Sequence, residues 1–247
     1  MIGVIKSDIG KVRLNNEDAF YLPQQGEFPQ LFIVADGMGG HQGGEIASKM
    51  AVKEVSSYIN SHLAKDCDNR KVKRIMESSI ANANNKILSI SLENDELLGM
   101  GTTITMALLY NGRLYIGHVG DSRAYRIRED HIEQLTKDHS LVWQLVEQGR
   151  LTMEETKTHP MKNVITKALG TDEFIEPDIH EFDFKNNDII VLCSDGLTNM
   201  LDNNCIKNIV CSLEPEQAAQ KLIEKANLQG GEDNITVGII KVGKVGM

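Results

Sequence analysis

The chain runs to 247 residues, 41% of them hydrophobic and 25% charged, a balance that supplies a globular core and excludes a disordered or fibrous protein. Its net charge of −9 makes the surface as a whole repel nucleic acid and anionic membranes, and no lysine- or arginine-rich run offsets it. The four cysteines, Cys67, Cys193, Cys205 and Cys211, form no C-x-x-C pair, which argues against a zinc knuckle and a thioredoxin-type redox site.

The first strand runs from Ile2 to Ile9. The N-terminus turns polar after five residues, too soon for a secretory signal. Strands follow at Ala19 to Leu22 and Leu31 to Ala35. Two long helices come next. Ile46, Met50, Val55, Tyr58, Ile59 and Leu63 recur at helical spacing in the first, and Val72, Met76, Ile80, Ala83 and Ile87 in the second. Then come strands Thr103 to Tyr110, Arg113 to Val119 and Arg123 to Ile127. Asn111-Gly112 predicts a type I′ hairpin between the first pair, and Gly120-Asp121-Ser122 a second turn, so these three strands are expected to form an antiparallel meander.

Residues 138–168 break the strand pattern. Ser140 to Gly149 predicts a short helix ended by glycine, and Thr152-Met153-Glu154-Glu155 offers a capping box for another. The segment carries the only tryptophan, Trp143, and is expected to be a flap over a site, with a plain surface helix as the alternative. A strand at Ile189 to Cys193, a helix burying Ala219, Leu222, Ile223 and Ala226, and a strand at Ile235 to Val242 complete the chain. The longest apolar runs, Leu31 to Ala35 and Ile189 to Cys193, are far too short to span a bilayer, so a soluble chain in a reducing cytoplasm is expected. With no linker and no solenoid repeat, residues 1–247 read as one domain of α+β class, sheet on sheet with helices on the outer faces.

The aspartates carry the chemistry. Leu31 to Ala35 runs into Asp36-Gly37, and Ile189 to Cys193 runs into Ser194-Asp195-Gly196. Asp121 sits at a turn between strands, and Asp233 immediately precedes the last strand. Carboxylates held together on rigid strand ends repel one another and lose hydration, and hard divalent cations remove both problems. Oxygen donors without a nearby cysteine pair suit Mg²⁺ or Mn²⁺ better than Zn²⁺. Alone, each Asp-Gly is a turn signal. Asp36-Gly37, however, leads into Met38-Gly39-Gly40-His41-Gln42-Gly43-Gly44 and a helix, a glycine-rich stretch whose backbone can approach a ligand closely.

Arg13, in Arg13-Leu14-Asn15-Asn16-Glu17-Asp18, reads either as a solvated loop charge or as a bidentate clamp on a phosphate. His41 is either a proton donor near neutral pH or a helix-entry histidine bonded to backbone. His139 and His159 read as surface residues and Cys193 as buried filler.

Six segments, in this order, resemble the metal-dependent type 2C (PPM) protein phosphatases, particularly compact bacterial members. They are Arg13 to Asp18, Asp36 to His41, Gly101-Thr102-Thr103, Gly120-Asp121-Ser122-Arg123, Ser194-Asp195-Gly196-Leu197 and Gly231 to Val237. The resemblance implies a four-layer αββα fold, with two antiparallel sheets flanked by helix pairs. It implies that Asp36, Asp195 and Asp233, with the Gly37 carbonyl, ligate two ions and that Glu17 contacts them through water. It further implies that Asp121 with Asp195 helps hold a third ion, and that Arg13 binds phosphoryl oxygens. Asn199 stands where relatives often have aspartate, a departure that touches no expected ligand.

The expected activity is hydrolysis of phosphoserine and phosphothreonine in proteins. A water bridging two cations attacks phosphorus in line, and His41 protonates the leaving oxygen. A bacterial serine/threonine kinase and its substrates are the expected partners, and the chain is expected to work as a monomer. Three competing readings are a silent phosphoprotein-binding module, a calcium-binding domain, for which the D-x-D-x-D-G spacing is missing, and a sporulation or stress phosphatase devoted to one partner.

Overall fold

The computed structural model describes residues 1–39, 42–156 and 158–243. In chain order its elements are β1 (Ile2–Asp8), β2 (Asp18–Tyr21), β3 (Gln30–Met38), α1 (Gly43–His62), α2 (Asn69–Glu93), a 3₁₀ turn at Asp95–Leu97 and β4 (Gly101–Thr102). There follow β5 (Ile104–Tyr110), β6 (Arg113–Val119), β7 (Arg123–Arg128), β8 (His131–Gln134), α3 (Leu141–Glu147) and α4 (Met153–Thr156). The last are β9 (Asp178–Asp183), β10 (Ile189–Cys193), α5 (Asp195–Thr198), α6 (Asn203–Ser212), α7 (Pro215–Leu228) and β11 (Ile235–Lys241).

Two antiparallel sheets result, in the orders β1-β11-β10-β7-β8 and β2-β3-β5-β6-β9, with β4 paired to β3. Strand alternation explains how they stack. On β3, Phe32 and Val34 point into the layer between the sheets, while Leu31, Ile33 and Ala35 point to α1 and α2. On β10, Ile190 and Leu192 join the same middle layer, and Val191 and Cys193 face α5, α6 and α7. Central strands buried on both faces read as unbroken apolar runs, which is why these two stood out in the sequence. Three apolar cores between four layers give the αββα arrangement, and α+β is the correct class. Each fully buried Leu or Ile in them is worth ~1.5–3 kcal/mol.

On α2 all five expected apolar positions, Val72, Met76, Ile80, Ala83 and Ile87, are fully buried. Helix α1 differs. Its innermost face is Ala47, Ala51, Val55 and Ile59, while Ile46, Met50 and Tyr58 pack on its flank. Small residues face the sheet because α1 begins almost in contact with β3: a Cβ on Gly37 would lie 2.1 Å from the Gly44 carbonyl oxygen. These two glycines let the helix approach the strand this closely.

The expected three-stranded meander does not form. Asn111 (φ 47°) and Gly112 (φ 72°) do join β5 to β6 as a tight hairpin. But β7 pairs with β10 and β8 in the other sheet, so Gly120-Asp121-Ser122 is a crossing between sheets. The excursion after β8 carries its expected caps. Ser140 Oγ accepts from the Trp143 N–H that opens α3, and Thr152 and Glu155 bond reciprocally around the start of α4, the Thr152 N–H donating to Glu155 Oε2 at 2.7 Å. Among the described residues no helix is long and apolar enough to cross a membrane.

His118 of β6 is fully buried: its Nε2 faces the Lys137 carbonyl at 3.1 Å, so Nε2 carries the proton and Nδ1 accepts from the Thr105 hydroxyl at 2.9 Å. Burial, and next the neighbouring His139, hold its pKa down to about 3. The unfolded chain takes up this proton below an ordinary pKa of about 6.5, which the folded chain does not, so stability is lost as pH falls from there. Acidifying from pH 7.5 to 5 is expected to cost ~2 kcal/mol through His118 alone. Urea midpoints of the parent and His118→Gln at both pH values check this, since the glutamine variant lacks that increment. Equal pH dependence of the two proteins contradicts it.

Candidate metal centre

Asp36 lies within β3, not beyond its end, and stands directly opposite Asp18 of β2. Its backbone is held on both sides: its N–H donates to Thr103 Oγ1 at 2.9 Å, and its carbonyl accepts from the Thr103 N–H at 2.8 Å and the Thr102 hydroxyl at 2.9 Å. Asp195 is the first residue of α5, immediately past β10, and Asp121 sits on the crossing from β6 to β7. Asp233 precedes β11, with Oδ1 accepting from the Asn234 N–H at 2.9 Å and Oδ2 from Arg13 Nη2 at 2.8 Å.

The electrostatics show that these groups share one place. The Asp36 carboxyl is pushed well above the usual range by burial first, then by Asp18, Asp195, Asp121 and Asp233. Asp121 is pushed well above it by burial and by Asp195, and Asp195 is raised by burial and by Asp233. Glu17 is raised by burial, with Arg13 opposing, and its side chain lies against the start of α1, where a Cβ on Gly44 would be 2.6 Å from Glu17 Oε2. Arg13 is half exposed, and its bond to Asp233 holds its proton more firmly still. The structure therefore brings Arg13, Glu17, Asp36, Gly37, Asp121, Asp195 and Asp233 together from distant parts of the chain. His41 lies outside the described residues.

Oxygen atoms Asp18 Oδ1, Asp121 Oδ1 and Asp195 Oδ1 are buried without a hydrogen-bond partner among the described residues. An anionic oxygen buried with no donor is costly, and a hard divalent cation is the ligand that relieves it. Cys193, two positions before Asp195, offers no alternative, since burial pushes its thiol up to about 12 and keeps it protonated. The donor set thus fits Mg²⁺ or Mn²⁺. Among the described residues no three His, Cys, Asp or Glu side chains close into a finished cage, but the aspartates lie near enough to raise the Asp36 pKa.

Four supporting residues escaped sequence reasoning. Asp18 is buried, and Ser194 Oγ and Thr236 Oγ1 donate to its Oδ2 at 2.8 and 2.6 Å; burial still raises its pKa to about 7. Asn234 stitches the Arg13 loop to the last strand, its Oδ1 accepting from Glu17 N–H at 2.8 Å and its Nδ2 donating to the Ile9 and Asn15 carbonyls. The signal available was a polar residue at or next to the end of an apolar strand. Asn199 is a correction: its Nδ2 donates to Asp195 Oδ2 at 3.0 Å, so this position does touch an expected ligand and steers its second oxygen.

A family model described as protein phosphatase 2C matches residues 6–235. The serine/threonine phosphatase stp of Listeria innocua is 37% identical over 237 residues, covering 96% of this chain and 94% of that protein. The solved serine/threonine phosphatase of S. agalactiae superimposes with a TM-score of 0.90 at 38% identity, covering 98% of this chain and 99% of that one. The catalytic domain of the serine/threonine protein phosphatase PstP in complex with two manganese ions gives a TM-score of 0.86 at 33% identity, covering 98% of both chains. The chain belongs to the protein phosphatase 2C family and is a metal-dependent protein serine/threonine phosphatase.

Proposed function

We propose that residues 1–247 act as one catalytic domain, a cytoplasmic monomer that dephosphorylates serine and threonine side chains of proteins and so opposes a bacterial serine/threonine kinase. One observation carries the reading. Asp36, Asp121 and Asp195 gather at one place, where Asp195 raises the pKa of the other two, with Asp233 and the Arg13 guanidinium at the exposed side.

Asp36, Asp195 and Asp233, with the Gly37 carbonyl, would hold two Mn²⁺ or Mg²⁺ ions, with Glu17 reaching them through water and Asp121 with Asp195 holding a third. Those ions, when bound, supply an activated water as nucleophile and cancel phosphoryl charge. The chain's own residues do the rest. The Asp36 backbone is held by bonds to Thr102 and Thr103, which fixes the point on β3 from which its carboxylate projects. Arg13 spends Nη2 on Asp233, and its guanidinium plane offers further donors to phosphoryl oxygens. His41 is assigned the proton for the leaving serine or threonine oxygen.

Phosphate release from one peptide in phosphothreonine, phosphoserine and phosphotyrosine forms tests this. The first two are expected to be hydrolysed with Mn²⁺ and not in EDTA, the third far more slowly. A folded, Mn²⁺-loaded protein that binds the phosphothreonine peptide without cleaving it would instead be a silent binding module. In the same assay His41→Ala is expected to lose the alkaline limb of the pH–rate profile, and an unchanged profile removes His41 as the acid.

A further inference from the structure

We propose that His139 is a positioning residue for Asp121, clamping the backbone in front of it so that the carboxylate is presented to a divalent cation already oriented. The proposal rests on the reading of Asp121 as a metal ligand.

Asp121 sits between two tied neighbours. In front of it, the Gly120 carbonyl accepts from the His139 backbone N–H at 2.7 Å, and the Gly120 N–H donates to His139 Nδ1 at 3.1 Å. Behind it, Ser122 Oγ meets Thr103 Oγ1 at 2.9 Å, and Thr105 Oγ1, whose proton goes to His118 Nδ1, lies 3.2 Å from the Ser122 carbonyl. Between them Asp121 is buried and its Oδ1 has no hydrogen-bond partner among the described residues. Gly120 has φ +113°, and a Cβ there would lie 2.5 Å from the Thr103 side chain, so this backbone needs holding. A held backbone on either side of a carboxylate with one unpartnered oxygen is the arrangement of a preorganised ligand.

The imidazole can do this in one tautomer. Nδ1 accepts from Gly120, so the ring proton is on Nε2, which faces Asp178 Oδ2 at 3.3 Å. Asp178 opens β9, the far edge of the six-stranded sheet, and fixes the ring from there. Burial lowers the His139 pKa, which keeps Nδ1 an acceptor. The His139 carbonyl accepts from the Thr166 N–H at 2.8 Å and Ser140 bridges Ile165, closing the neck of the excursion that carries α3 and α4. One residue thus joins that neck to the crossing that carries Asp121. The sequence reading of His139 as a surface residue is corrected accordingly.

The test is equilibrium Mn²⁺ binding, with free Mn²⁺ counted by its paramagnetic resonance signal, in the parent, Asp121→Ala, His139→Phe and His139→Asn. Asparagine keeps an acceptor near Nδ1, whereas phenylalanine keeps ring volume and loses it. Folding of each is checked by urea titration in EDTA. Asp121→Ala is expected to lose the weakest class of bound Mn²⁺. His139→Phe should bind that class about 10- to 100-fold more weakly, leave the tighter ions alone and speed amide exchange at Gly120 in the metal-free protein. His139→Asn should stay close to the parent in both. Parent-like Mn²⁺ binding by His139→Phe, or equal losses in the Phe and Asn variants, overturns the positioning role. An Asp121→Ala protein that loses no Mn²⁺ class overturns the ligand reading and the proposal with it. Should the Phe variant not fold, the pair becomes Asn against Gln, whose polar end reaches the Nε2 position only, and equal Mn²⁺ affinities then overturn it.

Discussion

Replacing Asp36 with asparagine is expected to cut phosphothreonine-peptide hydrolysis about a thousandfold or more, ~4 kcal/mol of lost transition-state stabilisation, while making the metal-free protein more stable. The two effects have one cause. Asp36 is partly buried beside Asp18, Asp195, Asp121 and Asp233, all of its own charge. Its folded pKa is raised above its unfolded value, so ionising it costs stability as pH rises above the unfolded value near 3.8. A neutral amide of the same shape removes that cost, and the unfolding free energy from urea titration in EDTA at pH 7.5 should rise by ~1 kcal/mol or more. The gain disappears in Mn²⁺, where the parent's carboxylate has its partner. An Asp36→Asn protein that is less stable in EDTA and still active would mean that the aspartates are a structural cluster.

Arg13→Ala is expected to lower kcat/KM for the same peptide by about 10- to 100-fold, the value of one or two charge-assisted hydrogen bonds to a phosphoryl group. Arg13→Lys should recover little, because an ammonium cannot offer parallel donors in a plane. Mn²⁺ binding should not weaken, since the change frees Asp233 Oδ2, which Arg13 holds at 2.8 Å. Steady-state kinetics beside a Mn²⁺ titration separates the effects. Weaker Mn²⁺ binding with unchanged kcat/KM at saturating metal would assign Arg13 to the ion site instead of the substrate.

What the sequence disclosed follows from where each element sits. Strands β3 and β10 are buried on both faces and announce themselves as apolar runs. Strands β8 and β9 are sheet edges with one neighbour each, so His131–Gln134 and Asp178–Asp183 are half polar and carry no such signal. Helix α6 escaped notice because it fully buries only Ile206 and Val210. The meander error has a different origin. A local turn signal cannot say which sheet the next strand joins, and at Gly120 that is decided by distant contacts with Thr103 and His139. The same limit governs the site. Asp36, Asp195 and Asp233 could be found because each adjoins an apolar strand, whereas Asp18 owes its role to Ser194 and Thr236, 176 and 218 residues away.

The aspartate cluster is proposed to hold the ions the hydrolysis needs. Mn²⁺ bound at equilibrium, counted beside phosphate release from a phosphothreonine peptide, tests it in the parent and in Asp36→Asn. At least two ions are expected on the parent, with loss of tight binding in the variant and phosphate release that rises with occupancy and stops in EDTA. Full phosphate release in EDTA, or a variant that keeps both its ions and its activity, would contradict it.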